Sequence, residues 1–509
     1  MHIGFLFRRA RAWHGASVAL VDRVGPWTFE ALMARIARFG QALAGLGLLR
    51  GERVALLLPD IREHLEADYG AMAAGFISVP LSAGMRRQDL VAHLRRTGAR
   101  AVVAEATLIP MLAELRSELP DLQHIIALGG TVAGAHDYED LLARASDRFL
   151  PPGESEDIAQ LALSAGRTGQ PKIVKLSHGN ISAVAGNLIA GLRIGSDSVF
   201  LNVRPLWAPL QFMVLAYLLG GSRIVLGGAF DAERFPFQMA RFSVTRSAMS
   251  PVQLAELLPH LAPEDVALNA MEMLHIGGAA LPEAVCDEAL NLVGPRISVH
   301  YGLAEAPFTC LLSAERLSVK RALRNELRTT VGRPFFGYET RLEGVEDTFA
   351  MEQEGEILIR GPHVMAGYWD DPEATARVLC DGWLRTGDIG MLSSGYDLKV
   401  IGRTQDLIFS AGQTVSLREV EAAIARHPAI REVAVVGLPD GEAGEALTAF
   451  VVLKDESAAS AEEILAFTHG ALIGAKRPKA IHLRRELPRS DYGGIFLPGL
   501  LTDIVPLRG

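Results

Sequence analysis

Cysteine is scarce: Cys286, Cys310 and Cys380 are the only three in 509 residues, far apart and without a metal-ligand spacing. That excludes a disulfide framework and fits a chain kept reduced in the cytosol. A basic patch is missing too. Fifty Lys and Arg stand against 59 Asp and Glu, with the signs interspersed and a formal net charge of -9, so no nucleic-acid partner is expected. The opening segment Met1-His2-Ile3-Gly4-Phe5-Leu6-Phe7-Arg8-Arg9 puts its charges behind a very short apolar run. A secretory leader has the opposite order and a longer apolar core. The best candidate for a membrane span, Phe212 to Phe230, is broken by Arg223 and two glycine pairs. It reads instead as a buried helix followed by a strand. The expectation is a cytoplasmic protein with no membrane partner. Also absent are a Walker Gly-Lys-Ser/Thr ending, a His-Glu-x-x-His helix, a nucleophile elbow and a Rossmann glycine fingerprint.

What is present is apolar bulk in an alternating order. Hydrophobic residues make up 49% of the chain, and a chain this long exceeds a single core, so two or more domains are expected. Arg53-Val54-Ala55-Leu56-Leu57-Leu58 reads as a buried strand stopped by Pro59. Phe76 to Pro80 and Ala101 to Ala104 read as further strands, with helical stretches between them. That order predicts a parallel sheet and an α/β fold. The last hundred or so residues read as a smaller α+β unit. Its two helices open at the capping boxes Ser416-Leu417-Arg418-Glu419 and Ser460-Ala461-Glu462-Glu463, and strands are expected at Val433 to Val436 and Leu447 to Leu453. The boundary is placed at Gly402-Arg403, giving a large N-terminal domain of several subdomains (1–402) and a small C-terminal domain (403–509).

Chemistry first suggests itself at Ser164-Ala165-Gly166-Arg167-Thr168-Gly169-Gln170-Pro171-Lys172, directly after the apolar run Leu161-Ala162-Leu163. Small, hydroxylated and glycine residues behind a strand make a loop whose backbone N–H groups can wrap phosphate, with Lys172 adding a point charge. Taken alone, the segment reads equally well as a Gly/Pro turn. Other residues are two-sided in the same way. Asp388 could bond a diol or cap a turn. Glu305 could hold magnesium or sit at the surface. Tyr301 could stack on a purine or fill core.

Their order along the chain favours the functional side. After the loop come Ile276-Gly277-Gly278-Ala279-Ala280-Leu281, Tyr301-Gly302-Leu303-Ala304-Glu305 and Val331-Gly332-Arg333-Pro334. Gly355-Glu356-Ile357, Gly367-Tyr368-Trp369, Gly382-Trp383-Leu384-Arg385-Thr386-Gly387-Asp388 and Gly402-Arg403-Thr404-Gln405-Asp406 complete the series. The set resembles, over nearly the whole chain, the adenylate-forming superfamily of acyl- and aryl-CoA synthetases, adenylation domains and firefly luciferase. The resemblance implies ATP, magnesium and coenzyme A as cofactors. It implies a phosphate loop at Ser164, Gly166, Arg167, Thr168, Gly169 and Lys172, and an adenine side at Gly278, Ala279, Ala280, Tyr301 and Gly302. Glu305 would hold magnesium, Asp388 and Arg403 would grip the ribose, and the small domain would be mobile about Gln405. A carboxylate pocket would be lined by Trp207, Ala208, Phe212, Gly277 and Ala304. Trp207 and Phe212 suggest an apolar or aromatic acid, unless both are simply core. The acceptor would be a thiol or an amine. A homodimer is compatible with all of this.

The chain also departs from the pattern it resembles. The family's catalytic lysine, in a Leu-Pro-Arg-(Ser/Thr)-x-x-Gly-Lys stretch, falls on Gly494 of Leu487-Pro488-Arg489-Ser490-Asp491-Tyr492-Gly493-Gly494. The apolar Ile495-Phe496-Leu497-Pro498-Gly499 follows where an arginine is usual. Ala304 replaces a threonine, Ile173 a glycine, Ala208 a histidine, and Gln405 a charged residue. Arg167 stands where a small hydroxyl residue is usual; it either restores a positive charge or is a solvated loop residue. Three readings follow. One is an ATP-dependent ligase of a specialised biosynthetic pathway. The second is an enzyme confined to the later half-reaction on a supplied adenylate. The third is a catalytically silent nucleotide-binding partner of an active relative.

Overall fold

The computed structural model describes residues 1–164, 171–208, 211–262, 265–322, 330–345, 353–393, 395–410, 413–440, 444–454, 457, 459–488 and 499–500. Three sheets organise them. A seven-stranded sheet contains Arg53–Leu57, Ile77–Pro80 and Ala101–Glu105, all mutually parallel. Their near-continuous burial is what a sheet covered on both faces requires. Helices Arg62–Ala73 and Arg87–Thr97 connect them, as the alternation predicted. The sheet ends in the antiparallel pair Ile158–Leu163 and Ile173–Ser177.

The second sheet has 14 strands. Its first part is a parallel run that includes Val199–Asn202, Arg246–Met249, Met273–Ile276 and Ile297–Tyr301. Its second part is antiparallel and includes Glu354–Arg360, Trp383–Leu392 and Leu398–Arg403. Helix Gln211–Leu219 is buried at every position. It lies in the large apolar cluster shared by the two big sheets, and strand Arg223–Leu226 follows it. The segment Phe212 to Phe230 is therefore the buried helix and strand expected. Among the described residues no helix is long and apolar enough to cross a membrane.

A five-stranded sheet, Leu407 to Arg484, forms the smaller unit with its own apolar cluster. The strand expected at Val433 to Val436 runs from Ile430 to Asp440, because it pairs along its length with Gly444–Leu453. Pairing carries it past its apolar centre into polar residues. Ser460 and Glu463 close both bonds of a capping box, at 3.2 and 2.9 Å. Ser416 accepts from the Glu419 backbone N–H at 3.4 Å. The turn Thr404–Asp406 links the last strand of the large sheet to the first of the small one. The fold is thus a large α/β N-terminal domain followed by a smaller C-terminal one.

Candidate active site

Asp388, read from the sequence as a diol ligand or a turn cap, lies inside the strand Trp383–Leu392. Gly387 before it has φ +71°, a left-handed conformation that glycine adopts without strain. It bends the strand so that its own N–H meets Glu356 Oε1 at 2.9 Å. In the antiparallel register Asp388 pairs with Arg403. Arg403 Nε lies 2.9 Å from Asp388 Oδ1, and the Tyr301 hydroxyl donates to Asp388 Oδ2 at 2.7 Å. The carboxylate side chain is 4% exposed and the arginine 39%. Burial pushes the Asp388 carboxyl above its ordinary value, while Arg403 and Tyr301 pull it back down. Burial and the neighbouring Asp388 raise the Tyr301 phenol well above its usual range. Tyr301, Asp388 and Arg403, far apart in sequence, thus meet at one point.

A second group lies at the stem of the loop after Leu163. Ser164 and Lys172 close it reciprocally: Ser164 N–H donates to Lys172 O at 2.9 Å, and Lys172 N–H to Ser164 Oγ at 3.0 Å. Gly166, Arg167, Thr168 and Gly169, expected to wrap phosphate, lie outside the described residues. Lys172 Nζ sits 4.6 Å from the centre of the Tyr368 ring. The Tyr368 hydroxyl donates to Glu305 Oε1 at 2.9 Å. Backbone bonds knit the same three segments together: Trp369 N to Ile173 O at 2.7 Å, and Met365 N to Glu305 O at 2.8 Å. Lys172 and Glu305 are therefore joined through one tyrosine.

The remaining expected residues surround these groups unequally. Gly277 is buried, whereas Gly278, Ala279 and Ala280 are exposed at the carboxyl end of strand Met273–Ile276. Gly278 has φ +88°. A Cβ on Gly302 would come within 2.4 Å of the Phe308 nitrogen, so this tight turn excludes any side chain. Trp207, Ala208 and Ala304 are half-buried. Phe212, 1% exposed, belongs to the main apolar cluster, as the core reading of this residue expects. Gln405 falls in the turn Thr404–Asp406. Gly494 lies outside the described residues. Lys476, another cation of the small domain, is 2.6 Å from Glu419.

Two kinds of residue escaped the sequence reading. Tyr368 stood inside a quoted motif but was given no role. Ser298 and His300 alternate along Ile297–Tyr301, and that polar period of two was the available signal of a shared face. They meet His275 of the neighbouring strand and Tyr217 of the buried helix.

The chain was compared with known proteins. Residues 6–369 match the AMP-binding enzyme family, and residues 419–493 match the AMP-binding enzyme C-terminal domain. A feruloyl-CoA synthase from Amycolatopsis sp is 30% identical over 472 residues, 92% of each chain. A long-chain-fatty-acid–CoA ligase from Salmonella typhimurium is 28% identical over 96% of this chain and 92% of its own. Among solved structures, the amide bond synthetase McbA from Marinactinospora thermotolerans superposes with a TM-score of 0.86 at 26% identity. That match covers 99% of this chain and 100% of the other.

Proposed function

The chain belongs to the AMP-binding enzyme family, adenylate-forming ligases of the acid–thiol and acid–amine type, and on that premise we propose that it joins an apolar or aromatic carboxylate to coenzyme A or an amine at the expense of ATP. The observation that carries this reading is the convergence of Tyr301 and Arg403 on the buried carboxylate of Asp388. Two carboxylate oxygens match the two adjacent hydroxyls of a ribose, and Arg403 is exposed enough to turn toward a nucleotide. The relatives support an apolar body for the acid, one being named for a ferulate and another for a long-chain fatty acid.

The reaction has two halves. A carboxylate oxygen forms a bond to the α-phosphorus of ATP while pyrophosphate leaves. A thiol or amine then bonds to the acyl carbon, and AMP leaves with the electron pair. Negative charge develops between carboxylate and phosphate in the first half, where fixed cations lower the barrier. Lys172 is read as the cation that meets phosphate there. Magnesium fits Glu305, because that ion takes one or two carboxylates and fills its other positions with phosphate oxygens and water. When bound, it neutralises charge developing on the phosphates. Residues 403–509 are read as a domain that turns about Gln405 between the two halves.

Gly494 favours a second reading, in which the later half runs well and the first is slow. A single assay addresses both readings: pyrophosphate release from ATP with a panel of carboxylates, paired with calorimetry of ATP and AMP. A folded protein that binds neither nucleotide would overturn the function. Binding without any turnover would favour a silent partner of an active relative.

A further inference from the structure

Helix Gln211–Leu219 and strands Met273–Ile276 and Ile297–Tyr301 enclose a polar cluster, with Arg246 beside Tyr217 and His275. Tyr217 Oη lies 2.7 Å from His275 Nε2. His275 Nδ1 lies 2.7 Å from Ser298 Oγ and 3.2 Å from His300 Nε2. Ser298 Oγ is 3.3 Å from His300 Nε2. None of the four is more than 6% exposed. Burial keeps both imidazoles neutral, His300 at a pKa of about 3 and His275 well below 6.5.

The protons of this cluster follow from which hydroxyls find acceptors. If Tyr217 donates to His275 Nε2, His275 carries its proton on Nδ1 and donates it to Ser298. Ser298 then donates to His300 Nε2, which puts the His300 proton on Nδ1. The opposite assignment strands the Tyr217 hydroxyl proton and also the His300 Nδ1 lone pair. In the first assignment one group is left over, the His300 Nδ1–H, which has no partner among the described residues. A buried donor without an acceptor destabilises the empty protein, and an acceptor on a ligand would offset that cost.

His300 borders Gly277, the glycine expected at the carboxylate pocket. Gly277 is buried, yet a Cβ built on it would meet only His300 O at 3.4 Å and His300 Cβ at 3.5 Å among the described residues. Gly277 thus leaves the space of a methyl group beside His300, whose ring also faces Phe308 and Phe335. His275 and His300 are the penultimate residues of adjacent parallel strands. They lie at the carboxyl edge where α/β sheets take ligands.

The geometry points to His300 as a specificity-determining residue whose Nδ1–H donates to an acceptor oxygen on the acyl part of the substrate. Tyr217, His275 and Ser298 are positioning residues that hold its tautomer. The substrate class is then an apolar carboxylate carrying a keto, ether or hydroxyl oxygen, rather than a plain hydrocarbon acid. This inference rests on the carboxylate-activating reading above.

The test uses sulfamoyl-adenosine analogues of acyl adenylates, measured by calorimetry on the full chain. One analogue carries a hydrocarbon acyl group, and a positional series carries a single keto oxygen. At least one keto member should bind about tenfold or more tightly than its parent. His300→Leu should erase that preference, so that within this variant the keto members bind like their hydrocarbon parent. His300→Asn, which keeps an N–H near the Nδ1 position, should retain part of it, and Tyr217→Phe should weaken it without touching the ligand. If every member binds the unmodified protein like the parent, but more tightly than AMP, the role of His300 is overturned and carboxylate activation stands. If no analogue outbinds AMP, the carboxylate-activating reading falls first. Should His300→Leu not fold, the preference of the unmodified protein and its survival in His300→Asn decide.

Discussion

Asp388 and Arg403 stand directly opposite each other on neighbouring antiparallel strands, with the carboxylate 2.9 Å from the guanidinium Nε. Arg403 ends the last strand of the large sheet, and the turn Thr404–Asp406 leads from it into the small unit. The pair therefore ties the proposed ribose site to the junction between the two parts. Whatever engages Asp388 also acts on the residue from which the small domain departs.

Removing that carboxylate should show its weight. In Asp388→Ala the diol acceptor is lost, and Tyr301 and Arg403 each lose a partner. A charged hydrogen bond of this kind contributes about 1.5–3 kcal/mol, so affinity for AMP should fall roughly tenfold to a hundredfold. The empty protein should be less stable as well. Affinity therefore has to be measured by calorimetry well below the unfolding temperature. An unchanged affinity for AMP would remove Asp388 from the nucleotide site.

Tyr368 makes a separable prediction. Its ring carries Lys172 and its hydroxyl bonds Glu305, so Tyr368→Phe keeps the first contact and deletes the second. Stability should fall by about 1 kcal/mol. If Glu305 orients magnesium on the phosphates, affinity for ATP with magnesium should drop while affinity for AMP holds. Equal losses for both nucleotides would mean that the hydroxyl only supports the fold.

Asp68 gives a pH dependence far from these contacts. It is fully buried, with Gln160 Nε2 at 3.4 Å, and burial raises its pKa from 3.8 to about 7. Below pH 3.8 the group is protonated in folded and unfolded chains alike and costs nothing. Between 3.8 and about 7 the unfolded chain releases a proton that the folded one keeps, so stability declines as pH rises, then levels off. Asp68→Asn removes this titration. The variant should gain on the parent protein from pH 4 to pH 7, by about 4 kcal/mol at most, in thermal unfolding followed across that range. A difference that stays constant with pH would show that Asp68 is ionised in the fold.

The sequence motifs were legible wherever chemistry sits on a loop or strand end next to an apolar run, as at Ser164 and Tyr301. Contacts made by register or by tertiary meeting were not. The bond from Tyr368 to Glu305 spans 63 residues. The meeting of His275 with Ser298 spans 23 and depends on how two parallel strands align. Phe212 was ambiguous for a different reason. A helix apolar on every face has no period to separate core from pocket wall. Asp388 shows the reverse case: a turn cap was one reading of it, and the chain instead bends at Gly387 within a continuous strand.

The sharpest expectation concerns Gly494. A positioned cation beside a developing phosphate charge contributes on the order of 100- to 1000-fold in rate, and glycine supplies none. Pyrophosphate release from ATP and a carboxylate should therefore be slow, whereas a prepared acyl adenylate should react faster once coenzyme A or an amine is added. Gly494→Lys should accelerate the first half, provided Ile495-Phe496-Leu497 still lets the segment reach the site. Two other cations could stand in for the lysine. Lys476 is paired with Glu419, but the lysine side chain is partly exposed and the glutamate about half, at 35% and 52%. Such a pair holds with only about 0–1 kcal/mol and can release its lysine. Lys476→Ala and Arg167→Ser, assayed for pyrophosphate release, separate the possibilities. If the unmodified protein adenylates briskly and one of these variants abolishes it, that cation has replaced the missing lysine. If adenylation is brisk and neither variant matters, a lysine at position 494 is not what limits the reaction. If a supplied adenylate reacts with no acceptor at all, the chain has kept the nucleotide site and lost the chemistry.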